Sequence, residues 1–175
     1  TDTSVTATSE SIGPPLLKQK SSFYYQHPVY KMSKNNGIIL ILCLLCSTIR
    51  HVVEIHSKIT GIHLITRLAT FTDDNARLQQ LVPYILQLLK DPNATVRATA
   101  LRSVTTLLSM VRSFPIMDAN IFPQYIFPAL VKLPSDPDEI VRIAFAECLP
   151  KIAETSRRFL DISQAAKQKN ADTNM

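Results

Sequence analysis

From residue 38 to about residue 160, apolar residues recur at three- and four-residue spacing, in runs separated by short polar or proline-bearing breaks. That period is the signature of helices with one buried face. Ile38–Ile49, IILILCLLCSTI, is the most apolar run and predicts a buried helix. Its length of about 18 Å falls well short of a ~30 Å hydrocarbon core, which disfavours a membrane span. Ile55, Ile59, Ile62, Ile65, Leu68 and Ala69 form the next stripe, and Asp73 and Asp74 open another through Leu78, Leu81, Val82, Ile85, Leu88 and Leu89. A helix from Pro92 to about Arg112 then carries Val96, Ala100, Leu101, Val104, Leu107, Leu108 and Val111, until Phe114-Pro115 breaks it. Asp118–Leu133 and Pro137 to about Leu160 supply the last two helices. Three glycines and no strand-like alternation argue against a β-rich fold.

The pattern repeats. Asp91–Arg97 reads DPNATVR and Asp136–Arg142 reads DPDEIVR, a separation of 136 − 91 = 45 residues, within the ~40 to 47 residue period of HEAT-type repeats. The register continues on both sides, with Leu81, Pro83, Ile85 and Leu88 falling on Ile126, Pro128, Leu130 and Leu133. Lys58, Gly61, Ile62 and Ile65 match Arg97, Ala100, Leu101 and Val104 at a spacing of 97 − 58 = 39. The expected fold is therefore all-α, an α-solenoid of three HEAT-type helix pairs over residues 37–160. It is flanked by a disordered linker or tail at 1–36 and a fraying polar tail at 161–175. Three pairs are about the minimum for a stable stack, since each buries its apolar face only against its neighbours.

Within each motif, Asp91 and Asp136 are expected to cap the following helix, with Pro92 and Pro137 at its first position. Glu139 adds a capping-box pattern to Asp136. Pro83 and Pro128, inside the first helices of their units, predict a bend where a backbone donor is missing. Arg97, Arg142 and Lys58 put a cation near the start of each second helix, where the dipole disfavours it. Carboxylates such as Asp91 and Asp136 are expected to compensate, in a ladder of ion pairs between units. A basic ligand-binding row is the functional alternative.

Composition narrows the function. An apolar fraction of 46% over 175 residues suffices for one core. The net charge of +5 is modest and its carriers are interspersed with acids, so no nucleic-acid surface is expected. The basic and aromatic mixture of residues 18–34 could touch a membrane surface or a partner, though a solvated linker is the plainer reading. Cys43, Cys46 and Cys148 lie in apolar helical patterns and suit reduced core thiols in a cytosolic compartment. Cys43-x-x-Cys46 followed by His51 and His56 offers four potential zinc ligands, but two cysteines inside a continuous aliphatic helix lack the turn that structural zinc uses. His56 and His63 have no acid or serine placed for a triad, and Arg157-Arg158 reads as a solvated charge pair. Asn93-Ala94-Thr95 matches a glycosylation sequon, discounted in a cytosolic chain. Gly13, Gly37 and Gly61 are isolated, and neither an HRD-type nor a DFG-type element is present, so this segment is not expected to transfer phosphoryl groups. No cofactor or metal is expected. The chain opens on Thr1 without a leader and reads as a fragment.

Residues 77–111, RLQQLVPYILQLLKDPNATVRATALRSVTTLLSMV, and 118–160, with the strings IFPQYIFP and AETSRRFL, go beyond generic repeat spacing. They resemble the HEAT-repeat region of the regulatory, protein-kinase-like subunit of the class III phosphatidylinositol 3-kinase complex, a scaffold of vacuolar sorting and autophagy. The resemblance covers residues 36–160. It implies a parent with an N-terminal Ser/Thr protein kinase domain, these repeats and a WD40 propeller. It also implies assembly with the lipid kinase catalytic subunit and a Beclin-like subunit, in the cytoplasm and peripherally on endosomal and autophagic membranes. No catalytic residue of that family falls in this segment, so the expected role is a non-catalytic scaffold. A generic transport-receptor or phosphatase-scaffold adaptor, or a regulatory part of an active protein kinase, are the alternatives.

Overall fold

The computed structural model describes residues 36–115, 118 and 120–173, and the expected linker at 1–36 lies almost wholly outside them. Every regular element among the described residues is helical. Helix α1 (Asn36–Thr48) packs against α2 (Ile55–Leu68). The next pair begins with the short α3 (Asp74–Ala76), runs through a π-helical turn at Arg77–Leu81 into α4 (Val82–Gln87), and is completed by α5 (Ala94–Met110). The third pair repeats this plan with a π-helical turn at Phe122–Ile126, α6 (Phe127–Leu130) and the long α7 (Glu139–Thr173). Helix α5 is the centre of the stack, in contact with α2, α4 and α7. These are three helix pairs of an α-solenoid.

The 45-residue period extends to backbone detail. Both π turns precede a proline: Val82 N–H bonds to the Arg77 carbonyl, five residues back, just before Pro83, and Phe127 N–H bonds to the Phe122 carbonyl just before Pro128. A proline has no N–H, and its ring crowds the preceding turn. Widening that turn from four to five residues relieves the crowding. Pro83 and Pro128, where a bend is expected, are each accommodated by a π turn. The 3₁₀ turns Leu88–Lys90 and Leu133–Ser135 also match, as do the extended residues Asp91 (φ −61°, ψ 141°) and Asp136 (φ −60°, ψ 138°) that follow them.

The helix starts correct the expected caps. Helix α5 begins at Ala94, and its N-cap is Asn93, whose side chain accepts from the N–H groups of Thr95 and Val96. Asp91 instead accepts from Asn93 N–H at 2.9 Å, and Asp136 from Asp138 N–H at 3.0 Å. The two aspartates therefore hold the turn before the helix, and Pro92 and Pro137 belong to that turn. Glu139 opens α7 and forms no capping box with Asp136 in the bonds observed there.

One core runs through all three pairs. Leu42, Leu81 and Ile126 occupy equivalent buried places, as do Cys46, Ile85 and Leu130. Cys46 thus fills an aliphatic position, and burial pushes its thiol up to about 12, with the Cys43 sulfur adding to the effect. Gly61 stands where the second unit has Ala100, and a Cβ there would meet Ile49 Cδ1 at 3.1 Å, so its bare backbone lets the end of α1 approach α2 closely. At the other end, α7 continues to Thr173, past Leu160 where fraying is expected. Residues 161–173 contain no Gly or Pro and several Ala, Gln and Lys, all strong helix formers, so nothing stops the helix at 160.

Candidate functional site

The repeat motif is where the units lock together. Helices α5 and α7 each start just after an Asp-Pro turn whose backbone carbonyls lie within reach of the helix's first turn, whereas α2 follows Val52-Val53-Glu54. Arg97 Nη1 donates to the carbonyls of Asp91 at 2.9 Å and Pro92 at 3.1 Å. The same guanidinium reaches the next unit: Nη2 donates to Asp136 Oδ1 at 2.7 Å and Nε to Asp136 Oδ2 at 3.0 Å, a fork-to-fork pair. Asp138 Oδ2 accepts a further bond from Nη2 at 2.8 Å. The Arg97 and Asp136 side chains are only 10% and 9% exposed, so solvent screens this pair little. The hydrogen bonds from Arg97 hold the Asp136 carboxyl below the usual carboxylate range against the opposing effect of burial.

One unit earlier the joint is simpler. Lys58 Nζ lies 2.6 Å from Asp91 Oδ2, with side chains 12% and 6% exposed. A lysine point charge makes one contact where the arginine fork makes several. Arg142, one unit later, donates through Nη1 to the carbonyls of its own turn, Asp136 at 2.8 Å and Pro137 at 2.9 Å, and is exposed. Among the described residues no carboxylate forms an ion pair with Arg142. Structure therefore joins Lys58 to Asp91 and Arg97 to Asp136, and leaves Arg142 at the end of the ladder.

Two further clamps were not legible in the sequence. Asp74 Oδ2 accepts from the N–H groups of Arg112 (3.0 Å) and Ser113 (2.9 Å), and its Oδ1 pairs with Arg77 at 2.6 Å. Burial pushes the Asp74 carboxyl up, but the Ser113 and Arg112 donors outweigh it, and the net direction is down. An open cleft of about 550 Å³ lies here, lined by Asp73, Asp74, Asn75, Arg77, Ser113 and Phe114 among others. Arg158, read above as solvated, is half-buried: its Nη2 donates to the carbonyls of Leu108, Ser109 and Val111, at the C-terminal end of α5 where a cation suits the dipole. Phe159 beside it stacks on Phe114 at 4.2 Å and meets Phe122 edge-on at 5.0 Å. Both clamps join residues about forty or more apart in the chain, which no local pattern announces.

Of the other candidates, Cys43, His51, His56 and His63 are exposed while Cys46 is buried, and no cluster that could hold a metal occurs among the described residues. Asn93 is engaged as the α5 cap.

A sequence model described as the PIK3R4-like middle domain matches residues 41–175. The chain belongs to the PIK3R4-like middle-domain family. The chain is also 40% identical over 152 residues to the serine/threonine-protein kinase VPS15 of Arabidopsis thaliana, covering 87% of this chain and 10% of that protein. A vps15 kinase of Dictyostelium discoideum is 42% identical over 137 residues (77% of this chain, 7% of that protein), and one of Schizosaccharomyces pombe 35% over 129 (74% and 8%). This PIK3R4-like segment spans at most about a tenth of the length of these curated relatives. The resemblance drawn from residues 77–111 and 118–160 to the regulatory subunit of a phosphatidylinositol 3-kinase complex thus agrees with the family, and the matched region is a middle one.

Proposed function

We propose that this segment is a non-catalytic scaffold within the regulatory subunit of a class III phosphatidylinositol 3-kinase complex. It holds that subunit in a shape that the lipid kinase catalytic subunit and a Beclin-like subunit can engage during autophagy and endosomal or vacuolar sorting. The observation that carries the reading is the interlocked joint at Arg97, in which one side chain ties its own turn to the next unit's Asp136 and Asp138. Side chains committed in this way make a stiff spacer and leave little for chemistry. The protein kinase activity named for the relatives belongs, on this reading, to other parts of the parent chain. No helix among the described residues is long and apolar enough to cross a membrane. Membrane association is accordingly assigned to the assembled complex, from the cytoplasmic side.

The test replaces residues 37–160 of the full-length protein with a flexible linker and measures both the lipid kinase recovered with it and its protein kinase activity. A scaffold predicts at least tenfold less lipid kinase, with protein phosphorylation retained. Retained assembly with lost phosphorylation would favour a regulatory part of the protein kinase instead.

A further inference from the structure

The two clamps at the C-terminal end of α5 meet on one peptide group. Arg158 Nη2 donates to the Val111 carbonyl at 2.9 Å, and the N–H of that same peptide unit, carried by Arg112, donates to Asp74 Oδ2 at 3.0 Å. The C=O and N–H of a peptide are conjugated, so drawing electron density toward the oxygen makes the N–H a stronger donor. A cation at the oxygen and a carboxylate at the N–H therefore reinforce each other, both aligned with the dipole of the group between them. The other bonds of the two clamps fall on separate peptide units: Arg158 also reaches the carbonyls of Leu108 and Ser109, and Asp74 also accepts from Ser113 N–H.

The line of bonds continues past Asp74. Its Oδ1 pairs with Arg77 Nη1 at 2.6 Å, and Arg77 Nε donates to the Ala69 carbonyl at 2.8 Å. Ala69 opens the 3₁₀ turn that follows α2. The order is thus Ala69 carbonyl, Arg77, Asp74, the Val111–Arg112 peptide and Arg158, with charges alternating from plus to minus to plus. It crosses from the first helix pair through the second to the third. The Arg77 and Asp74 side chains are 12% and 17% exposed and Arg158 is half-buried, so water screens the line little. The opposite edge of the stack is built otherwise. There the two joints meet on Asp91 through different groups, the carboxylate for Lys58 and the main-chain carbonyl for Arg97, which saturated carbons separate.

We propose that the Val111–Arg112 peptide is a coupling element. It links the joint between the first and second helix pairs to the joint between the second and third, so that loosening either one loosens the other. Along this edge the three pairs respond as one body to a load applied at either end. The proposal goes beyond the scaffold reading, since a scaffold whose joints acted independently would still assemble its partners.

The experiment measures amide exchange, peptide by peptide, on the full-length protein. Asp74→Asn removes the carboxylate charge and keeps an oxygen; it should speed exchange of residues 155–163 in α7 by about threefold or more, although the bonds of Asp74 go to Arg77, Arg112 and Ser113. Arg158→Gln should speed exchange of residues 74–82 by a similar factor, because coupling between two sites is reciprocal. At either segment the double variant should fall short of the product of the two single factors. Effects confined to the mutated joint, with factors that multiply in the double variant, overturn the proposal. Arg112→Pro tests the shared group itself: the extended Val111 (φ −68°, ψ 123°) suits a following proline, the Val111 carbonyl stays for Arg158, and the Arg112 N–H is lost. Both segments should again exchange faster by about threefold or more. Arg112→Ala keeps the N–H and loses only the exposed side chain, so both segments should stay near the native rate. Equal effects of Arg112→Ala and Arg112→Pro would place the coupling in the side chain and overturn the role given to the peptide. Residues 96–103 in the first half of α5 should keep their native exchange in every variant. Equal acceleration there would make the effect a general unfolding, and the proposal fails.

Discussion

The first and second joints of the stack use the same place in the repeat and differ in how they use it. Lys58 meets Asp91 through one contact of 2.6 Å. Arg97 forks onto Asp136, adds Asp138, and holds two carbonyls of its own turn. The lesson is that a cation at this position does two jobs: it satisfies the exposed carbonyls of the Asp-Pro turn, and it fastens that turn to the next unit. Lys58 at the first joint is seen only fastening to the next unit, and its own unit has Val52-Val53 where the others have Asp-Pro. The two joints should therefore differ in strength, and substitutions rank them.

The largest effect is expected for Arg97→Ala. It leaves the Asp136 carboxylate, 9% exposed, without its partner and strands two carbonyls, a loss of about 3 kcal/mol in the range for breaking a buried pair. Amide exchange over α5 and the start of α7 reads it. Asp136→Asn comes next, at about 2 kcal/mol, since it removes a charge-assisted fork and keeps a neutral acceptor. Lys58→Ala follows at about 1.5 kcal/mol, read at the α2–α5 contact, because the Asp91 carboxylate, 6% exposed, loses its single ammonium contact but keeps the bond from Asn93 N–H. Arg142→Ala is smallest within the described stack, within about 0.5 kcal/mol for the α5 amides, because the residue is exposed and bonded only to its own turn. An Arg142 effect as large as that of Arg97 would break the comparison.

Acid sharpens it further. The Asp136 carboxyl is held below its ordinary range by Arg97, so its contribution is fully present above the unfolded value of about 3.9 and is lost as pH falls through the lower, folded value. The gap in stability between the native chain and Arg97→Ala should be constant from about pH 5 upward and shrink below pH 4. A gap that instead shrank as pH rose toward 8 would assign the effect to another group.

Much of this architecture was legible because it repeats. The 45-residue offset between the two DP-containing motifs gave the helix pairs, and the oddity of a cation at a helix start pointed to Arg97 and its need for a carboxylate. The turn itself was misread at Asp91, since Asp91 and Asn93 are both good cap formers within three residues and a proline between them imitates the first helical position. Structure gives the cap to Asn93 because Asp91 is already committed to the turn and to Lys58. The Asp74 and Arg158 clamps were illegible for another reason. Their partners are backbone groups at the end of α5, and a backbone N–H or carbonyl leaves no trace in residue identity.

The account stands on Arg97 and Asp136 acting as one brace across the second joint. The direct measurement is a double-mutant cycle, Arg97→Ala, Asp136→Ala and the pair together, read by native-state amide exchange in α5 and α7. A coupling of about 2 kcal/mol between the two is the predicted result. Additive losses, with coupling near zero, would contradict it.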